Sequence, residues 1–431
     1  MPPSISCRTS PIASTSRSAS SRRRTTRRAE RAVLKPVEAD ELIGQRLQCL
    51  PIESLPLAQC AGAVLRENIY AERDQPPFDR VAMDGIALDS AAASEGARRL
   101  HIQATQAAGD APLTLATPTC CIEVMTGAVL PAGCDCVIPV EQITIRGGEA
   151  ELAAGVQAEP GQNVHRRGTD TRQGTLLISA GVLLRAPEIA IAASAGMARI
   201  RVSSQPMLAV ISTGNELVEP GDPILPHQVR RSNAYGIVAG LRQHGFQRVA
   251  DDHIQDDAAE LKQRLKFHLE THDVLVLSGG VSMGKFDLVP KVLEELGVHT
   301  IFHKVAQRPG KPLWFGVASS GAAVFGLPGN PVSTFVCLAR YVLPALFASL
   351  GRSPLAAEKM ALGAPVTVTP ALTYFLPVRV ELDDWGRAWA MPRPTNGSGD
   401  FTALEGTDGF VELPPGPNTY PKGFVTRLYR W

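Results

Sequence analysis

Four stretches of the chain carry four different patterns of apolar and polar residues. In Val37-Glu38-Ala39-Asp40-Glu41-Leu42-Ile43 the apolar positions fall at helical spacing. Ordered structure is therefore predicted to begin near residue 32, with a helix. Residues 74–170 hold short apolar runs, such as Cys136-Val137-Ile138-Pro139-Val140, between breaks rich in Gly, Pro and Thr. This pattern predicts a small β-rich unit.

From Met207 the pattern changes to continuous apolar runs. Met207-Leu208-Ala209-Val210-Ile211-Ser212 ends in Thr213-Gly214-Asn215-Glu216. Asp273-Val274-Leu275-Val276-Leu277 ends in Ser278-Gly279-Gly280-Val281-Ser282, and Ala322-Ala323-Val324-Phe325-Gly326 ends in Leu327-Pro328-Gly329-Asn330-Pro331. Uniformly apolar strands are those buried on both faces, as in parallel sheets. Helices are predicted between them. Leu261, Leu265 and Leu269 share one helical face. A helix over 288–296 ends at the cap Gly297, and Asn330 followed by Pro331 reads as an N-cap for a helix running through Cys337 and Leu343. Residues 207–352 thus predict an open α/β domain of three layers. Beyond residue 353, runs such as Ala364-Pro365-Val366-Thr367-Val368 and Leu376-Pro377-Val378-Arg379-Val380-Glu381-Leu382 predict a small closing β-barrel or sandwich.

Length and composition narrow the function classes. A chain of 431 residues has room for about three domains. Its formal net charge of +1 creates no global field that would recruit nucleic acid or an acidic membrane. No stretch of 18 uninterrupted apolar residues occurs; the most apolar one follows Pro331 and is broken by Arg340, so no membrane span is predicted. Among eight cysteines, Cys120-Cys121 and Cys134-Asp135-Cys136 are the only close groupings, and neither has paired C-x-x-C spacing. They read as small buried thiols in a reducing compartment, which predicts a cytoplasmic protein. Residues 1–31 carry seven arginines before Glu30 and no acid before it. This composition is also that of an organelle transit peptide, but the simpler reading is a disordered basic leader.

Candidate chemistry gathers where the strands end. In an open parallel sheet, ligands bind beyond the carboxyl ends of the strands. Three glycine- or proline-rich loops there offer backbone N–H groups to an anionic ligand. His303-Lys304-Val305-Ala306-Gln307-Arg308-Pro309-Gly310-Lys311-Pro312 adds four potential cations on a segment that Pro and Gly keep from being a helix. Glu216, Asp287 and Asp256-Asp257 add carboxylates, the last pair also serving as a helix cap. Phosphate-binding loops beside hard carboxylates suggest Mg²⁺.

These residues resemble a known family. Pro76-Pro77-Phe78-Asp79-Arg80-Val81-Ala82-Met83-Asp84-Gly85 is similar to the P-x-F-x-x-S-A-M-D-G-Y-A signature of the molybdopterin molybdenumtransferases, the MoeA and gephyrin E-domain family. Met125-Thr126-Gly127-Ala128-Val129-Leu130-Pro131 resembles its T-G-A-P-L-P turn. Asn163-Val164-His165-Arg166-Arg167-Gly168-Thr169-Asp170 resembles its N-x-R-R-x-G-E-D segment. The three strand-end loops and Arg308-Pro309-Gly310-Lys311-Pro312 follow in the family's order, so the resemblance spans residue 36 to the C-terminus.

The resemblance implies an L-shaped homodimer with four domains per subunit. These would be a discontinuous, elongated linker domain of residues 32–73 and 171–206, a β-rich domain of 74–170, the molybdopterin-binding α/β domain of 207–352 and a β-barrel domain of 353–431. The implied reaction inserts molybdate into adenylylated molybdopterin and releases AMP, with Mg²⁺, at a site shared between subunits. Carried over residue by residue, Asp84, Thr126, Asp170, Glu216, Lys304, Arg308 and Lys311 would act on substrate. Gly214, Ser278, Gly279, Gly280, Ser282, Pro328, Gly329, Asn330, Pro331 and Ser398 would bind the pterin nucleotide. Asp256, Asp287 and Glu216 would hold the metal. The chain departs from the signature at Val81, Ile86 and Thr169, which stand in place of Ser, Tyr and Glu, and at Cys134 and Cys136, where small residues are usual. Two rivals remain at this point: a related α/β enzyme that adenylylates molybdopterin or hydrolyses a nucleotide pyrophosphate, and a gephyrin-like scaffold without catalysis.

Overall fold

The computed structural model describes residues 33–280, 288–368 and 371–431. The first element is the predicted helix, Pro36–Arg46, with proline in its first turn and Glu38 reaching back to the Lys35 N–H. Strand Ile52–Pro56 pairs antiparallel with Arg199–Ser203, and Ile69–Tyr70 with Leu176–Ile178. Segments far apart in sequence therefore share one core, in which Cys60, Leu65, Ile69, Ile178, Leu184, Ile200 and Val202 pack together.

Between those segments lies a six-stranded, mostly antiparallel sheet. Its order is Cys136–Pro139, Gly85–Leu88, Cys120–Val124, Arg99–Gln106, Glu149–Leu152 and Ile143–Arg146. Val81 and Ile86, the departures from the family signature, are fully buried in apolar clusters on its two faces. Both positions are therefore committed to packing, and a hydroxyl there would have needed a buried partner. The thiols of Cys121, Cys134 and Cys136 are pushed up to about 12, burial being the largest cause in each. They act as small hydrophobes.

The α/β unit is built on a second six-stranded sheet. Its order is Val249–Ile254, Leu208–Thr213, Val274–Ser278, Ala323–Leu327, Trp314–Ala318 and Val298–His303. The first four strands are parallel. Alternation along the strands sends Leu208, Val210 and Val276 into one core and Ala209, Ile211 and Leu277 into another. Helices Ser232–Gln243 and Pro331–Cys337 cover the first face, and Ala258–Thr271 and Val289–Glu295 cover the second. Asp257 caps the third of these, its carboxylate accepting from the N–H groups of Ala259 (3.0 Å) and Glu260 (2.9 Å). The helix from Pro331 continues through a π turn at Leu338–Val342 into Leu343–Ser349. By length and composition this 331–349 stretch could cross a membrane, but 78% of its apolar window is buried inside the protein. It is a core helix.

Strands Lys359–Leu362, Thr373–Leu382, Ala388–Pro392, Gly409–Leu413 and Val425–Arg430 form the C-terminal sheet. Gly409–Leu413 pairs with both Val425–Arg430 and Thr373–Leu382, which closes the five strands into a barrel. Gln307–Arg308 extends this sheet by pairing parallel to Thr373–Tyr374. That pairing carries the basic loop of the α/β unit onto the barrel.

Candidate active site

Strands Leu208–Thr213, Val274–Ser278 and Ala323–Leu327 are neighbours, in register at Ser212, Ser278 and Leu327. Their three loops consequently leave the sheet side by side. They meet tightly: a Cβ on Gly279 would lie 2.8 Å from the Thr213 carbonyl oxygen, and one on Gly280 2.5 Å from the Thr213 hydroxyl. Only glycine allows that approach. Asn233, at the start of helix Ser232–Gln243, ties the loops together. Its Nδ2 donates to the Ser278 hydroxyl (3.1 Å) and to the Gly329 carbonyl (2.7 Å).

Around them opens a cleft of about 350 Å³. Glu216, Ser278, Gly279, Gly329, Asn330 and Pro331 line it, with Gly214 and Gly280 in the adjoining loops. The Glu216 carboxylate folds back over Gly214, where a Cβ would stand 2.5 Å from one of its oxygens. Asp256 is exposed and lines neither cleft; its backbone N–H donates to Asn215 Oδ1 at 3.0 Å, which couples it to the Glu216 loop. Among the described residues, two polar atoms of residues lining this cleft, the Thr213 hydroxyl and Asn233 Oδ1, are buried without a hydrogen-bond partner. Such atoms cost about 1–3 kcal/mol each unless something satisfies them.

A second cleft of about 440 Å³ abuts the first, between the basic loop and the barrel. Arg308, Lys311, Pro328, Asn330, Tyr374 and Ser398 are among its lining residues. Asn330 borders both clefts. Here one expectation is corrected. Asn330 stands at the N-cap position of helix Pro331–Cys337, but its side chain makes no cap; Nδ2 donates instead to the Ser398 hydroxyl at 2.8 Å. The barrel offered a partner that the local sequence did not show. The Val332 N–H donates to the Ser398 carbonyl at 3.0 Å, completing the clasp.

Lys304 lines neither cleft, yet it is held in the same hairpin. Its N–H donates to Leu313 O (2.9 Å), the next N–H to Lys311 O (2.9 Å), and its φ is +82°. A lysine in the left-handed region is strained, a condition common at functional sites. Asp84 and Thr126 do come together, in the β-rich unit. Asp84 Oδ1 accepts from both the hydroxyl and the N–H of Thr126, each at 2.6 Å. Those two bonds, the hydroxyl's first, hold the Asp84 carboxyl below its usual range. Asp170 accepts from His165 Nε2 at 2.9 Å, while Arg80 donates to the other ring nitrogen at 3.1 Å. None of these three residues lines the two clefts. Ser282 and Asp287 lie outside the described residues.

Arg231, Ser232 and Asn233 were not singled out from the sequence, although they line the first cleft. The only local signal was Arg-Arg-Ser-Asn opening an amphipathic helix. Arg231 is 6% exposed; its Nε donates to the Ser212 hydroxyl at 2.6 Å, and its guanidinium pairs with Glu219 and Asp251. Burial works against its charge, and the two carboxylates more than offset this. Among the described residues no three His, Cys, Asp or Glu side chains converge as an all-protein metal cage.

Comparison with known sequences decides the family. Residues 34–196 match the MoeA N-terminal region (domains I and II), 209–348 a probable molybdopterin binding domain, and 359–427 the MoeA C-terminal region (domain IV). The chain belongs to the MoeA family of molybdopterin molybdenumtransferases. It is 41% identical to the molybdopterin molybdenumtransferase of Synechocystis sp. over 371 residues, covering 86% of this chain and 93% of that one. Against the Synechococcus elongatus relative of the same name, identity is 35%, with 91% and 98% covered. A solved molybdopterin biosynthesis MoeA protein from Pyrococcus horikosii superposes with a TM-score of 0.77 at 31% identity, covering 93% of this chain and 99% of that one. Family membership makes this chain a transferase of molybdenum cofactor biosynthesis.

Proposed function

We propose that the enzyme joins molybdate to the dithiolene of adenylylated molybdopterin and releases AMP. The observation that carries this reading is the pair of abutting clefts with Asn330 between them. One offers glycine loops at three strand ends; the other offers Arg308 and Lys311. The glycine loops take the phosphates of the pterin nucleotide. Arg308 and Lys311 hold molybdate, with Lys304 adding charge from the same hairpin. Breaking a phosphate–phosphate link depends on neutralising charge at fixed positions more than on a strong nucleophile. Gly214, Ser278, Gly280, Pro328, Pro331 and Ser398 shape the binding surfaces around these groups.

Mg²⁺ fits the carboxylates of Glu216 and Asp256. It binds through one or two carboxylates and completes its shell with substrate oxygens and water, so Glu216 and Asp256 suffice without a protein cage, and Asp287 is a third candidate. When bound it would withdraw charge from the phosphates. The Asn215 amide oxygen holds the Asp256 backbone, and the Glu216 carboxylate lies against Gly214.

We further propose that the enzyme is a homodimer in which Asp84, Thr126 and Asp170 of one subunit complete the clefts of the other. Their separation from the clefts within one chain supports this, as does the exposed Met83 beside Asp84. We propose units 32–73 with 171–206, 74–170, 207–352 and 353–431; separate apolar cores in residues 55–69 with 177–202, in 86–158 and in 360–428 support this, whereas Ala39, Ile43 and Val64 pack into the core of the α/β unit. Cys60, Cys121, Cys134, Cys136 and Cys337 are buried thiols, which supports a reducing compartment such as the cytoplasm. Nothing in the comparisons favours adenylylation of molybdopterin or a purely scaffolding role.

The test is AMP release from adenylylated molybdopterin with Mg²⁺, with and without molybdate. Molybdate-dependent release is expected; release that ignores molybdate would refute the transferase assignment. Mixing inactive Asp84→Asn with inactive Glu216→Gln tests the shared site. Hybrid dimers keep one intact site, so about a quarter of the wild-type rate should return; no recovery would place each site within one chain.

A further inference from the structure

The basic loop takes its shape from a side chain enclosed within it. Gln307 precedes Arg308 and is fully buried. Its Nε2 donates to the carbonyls of Pro309 and Gly310, each at 3.3 Å, and lies 3.7 Å from Cys337 Sγ. Its Oε1 accepts from the Tyr341 hydroxyl. Carbonyls only accept, so the amide has one workable orientation. The backbone wraps closely around it: Gly310 has φ +90°, and a Cβ there would lie 2.7 Å from both Gln307 Nε2 and Cys337 Sγ.

Tyr341 is itself held from behind. It sits in the π turn of the core helix beside Arg340, which is 3% exposed. The Arg340 guanidinium lies 4.9 Å from the Tyr341 ring centroid and 5.1 Å from that of Tyr429 on the barrel. It also makes two 2.7 Å bonds to the Asp40 carboxylate on the first helix. One chain of contacts therefore runs from the half-exposed Asp40 through the buried Arg340, Tyr341 and Gln307 to the carbonyls between Arg308 and Lys311.

Stability alone does not require this arrangement. A buried hydrogen bond contributes only about 1 kcal/mol net, and apolar replacement of both partners can be nearly neutral. What the amide does supply is a defined direction for two consecutive carbonyls. That direction aims the exposed side chains on either side, Arg308 and Lys311, into one cleft.

We propose that Gln307, oriented by Tyr341, is the positioning residue for oxyanion recognition in this enzyme. The inference rests on the reading of Arg308 and Lys311 as molybdate ligands. Gln307 borders the second cleft but exposes no surface, and Tyr341 lies behind it, so both act through the loop.

The experiment measures KM for molybdate and for adenylylated molybdopterin, kcat, and melting temperature, in Tyr341→Phe, Gln307→Met and Lys311→Ala. Tyr341→Phe keeps the ring and its contact with Arg340 and removes only the hydroxyl. Misplaced ligands raise the molybdate KM by roughly tenfold or more. The pterin KM and kcat should stay within about twofold, the signature of lost binding to one substrate alone. A merely structural role would lower the melting temperature with the molybdate KM unchanged, or move both KM values together, and either result would overturn the proposal. So would an unchanged molybdate KM in Tyr341→Phe beside a raised one in Lys311→Ala, which leaves the loop's assignment standing. An unchanged molybdate KM in Lys311→Ala would overturn that assignment and the inference with it. Should Gln307→Met fail to fold, Tyr341→Phe carries the test by itself.

Discussion

Gly236 and Gly240 lie one turn apart on helix Ser232–Gln243, and alanine at the two positions should have opposite effects. In helix propensity alone, each Gly→Ala change should stabilise by about 0.5–1 kcal/mol. Packing separates them. A Cβ at position 236 would stand 2.3 Å and 2.6 Å from Cζ and Cε1 of Phe335, whose ring stacks on Phe401 at 5.9 Å between centroids. At position 240 the nearest atom is Leu338 Cδ2 at 3.2 Å, the movable end of a side chain. Overpacking a filled site costs about 1–3 kcal/mol, more than the propensity gain. Gly236→Ala should therefore destabilise by about 1–2 kcal/mol, while Gly240→Ala is neutral or stabilising by up to about 1 kcal/mol. In a unit of this size each kcal/mol moves the melting temperature by roughly 2–4 °C, within reach of calorimetry. Activity should follow. Asn233 pins the cleft loops from the first turn of the same helix, so a helix pushed away from Phe335 loosens them. AMP release should fall in Gly236→Ala and hold in Gly240→Ala. A Gly236→Ala protein that melts at or above wild type would refute the reasoning.

Two further predictions concern charge and strain. Because the Thr126 hydroxyl is the largest influence holding the Asp84 carboxyl down, Thr126→Val should let its pKa rise toward the ordinary value. The acid limb of the pH–rate profile for AMP release should then move to higher pH with the alkaline limb in place; a profile shifted downward, or not at all, contradicts the role given to Asp84. Lys304→Gly should relieve a left-handed backbone that costs an L-residue about 1–2 kcal/mol, against roughly 0.5–1 kcal/mol of added chain entropy. Its melting temperature should hold or rise slightly while molybdate-dependent AMP release drops roughly a hundredfold. Retained activity would remove Lys304 from the site.

Much of this protein is local and so was legible in the chain. Uniformly apolar runs at Leu208–Thr213, Val274–Ser278 and Ala323–Leu327 can only be strands covered on both sides, and the glycine loops after them must then lie at one end of the sheet. Asp257 capping its helix and Gly297 ending another follow from nearest-neighbour sterics and hydrogen bonding. The order of motifs was enough to indicate the family. What the chain did not show are contacts between surfaces that meet only after folding. Asn330 reads as a helix cap within its own segment, yet it bonds to Ser398 because the barrel docks there. Arg231 and Asn233 reach the cleft only when their helix packs beside three strand ends. Asp40 and Arg340, Gln307 and Tyr341, are partners whose pairing no spacing encodes. Periodicity and caps determine elements because they depend on a few adjacent residues. The active-site geometry depends on which faces of those elements come together, and tertiary packing alone decides that.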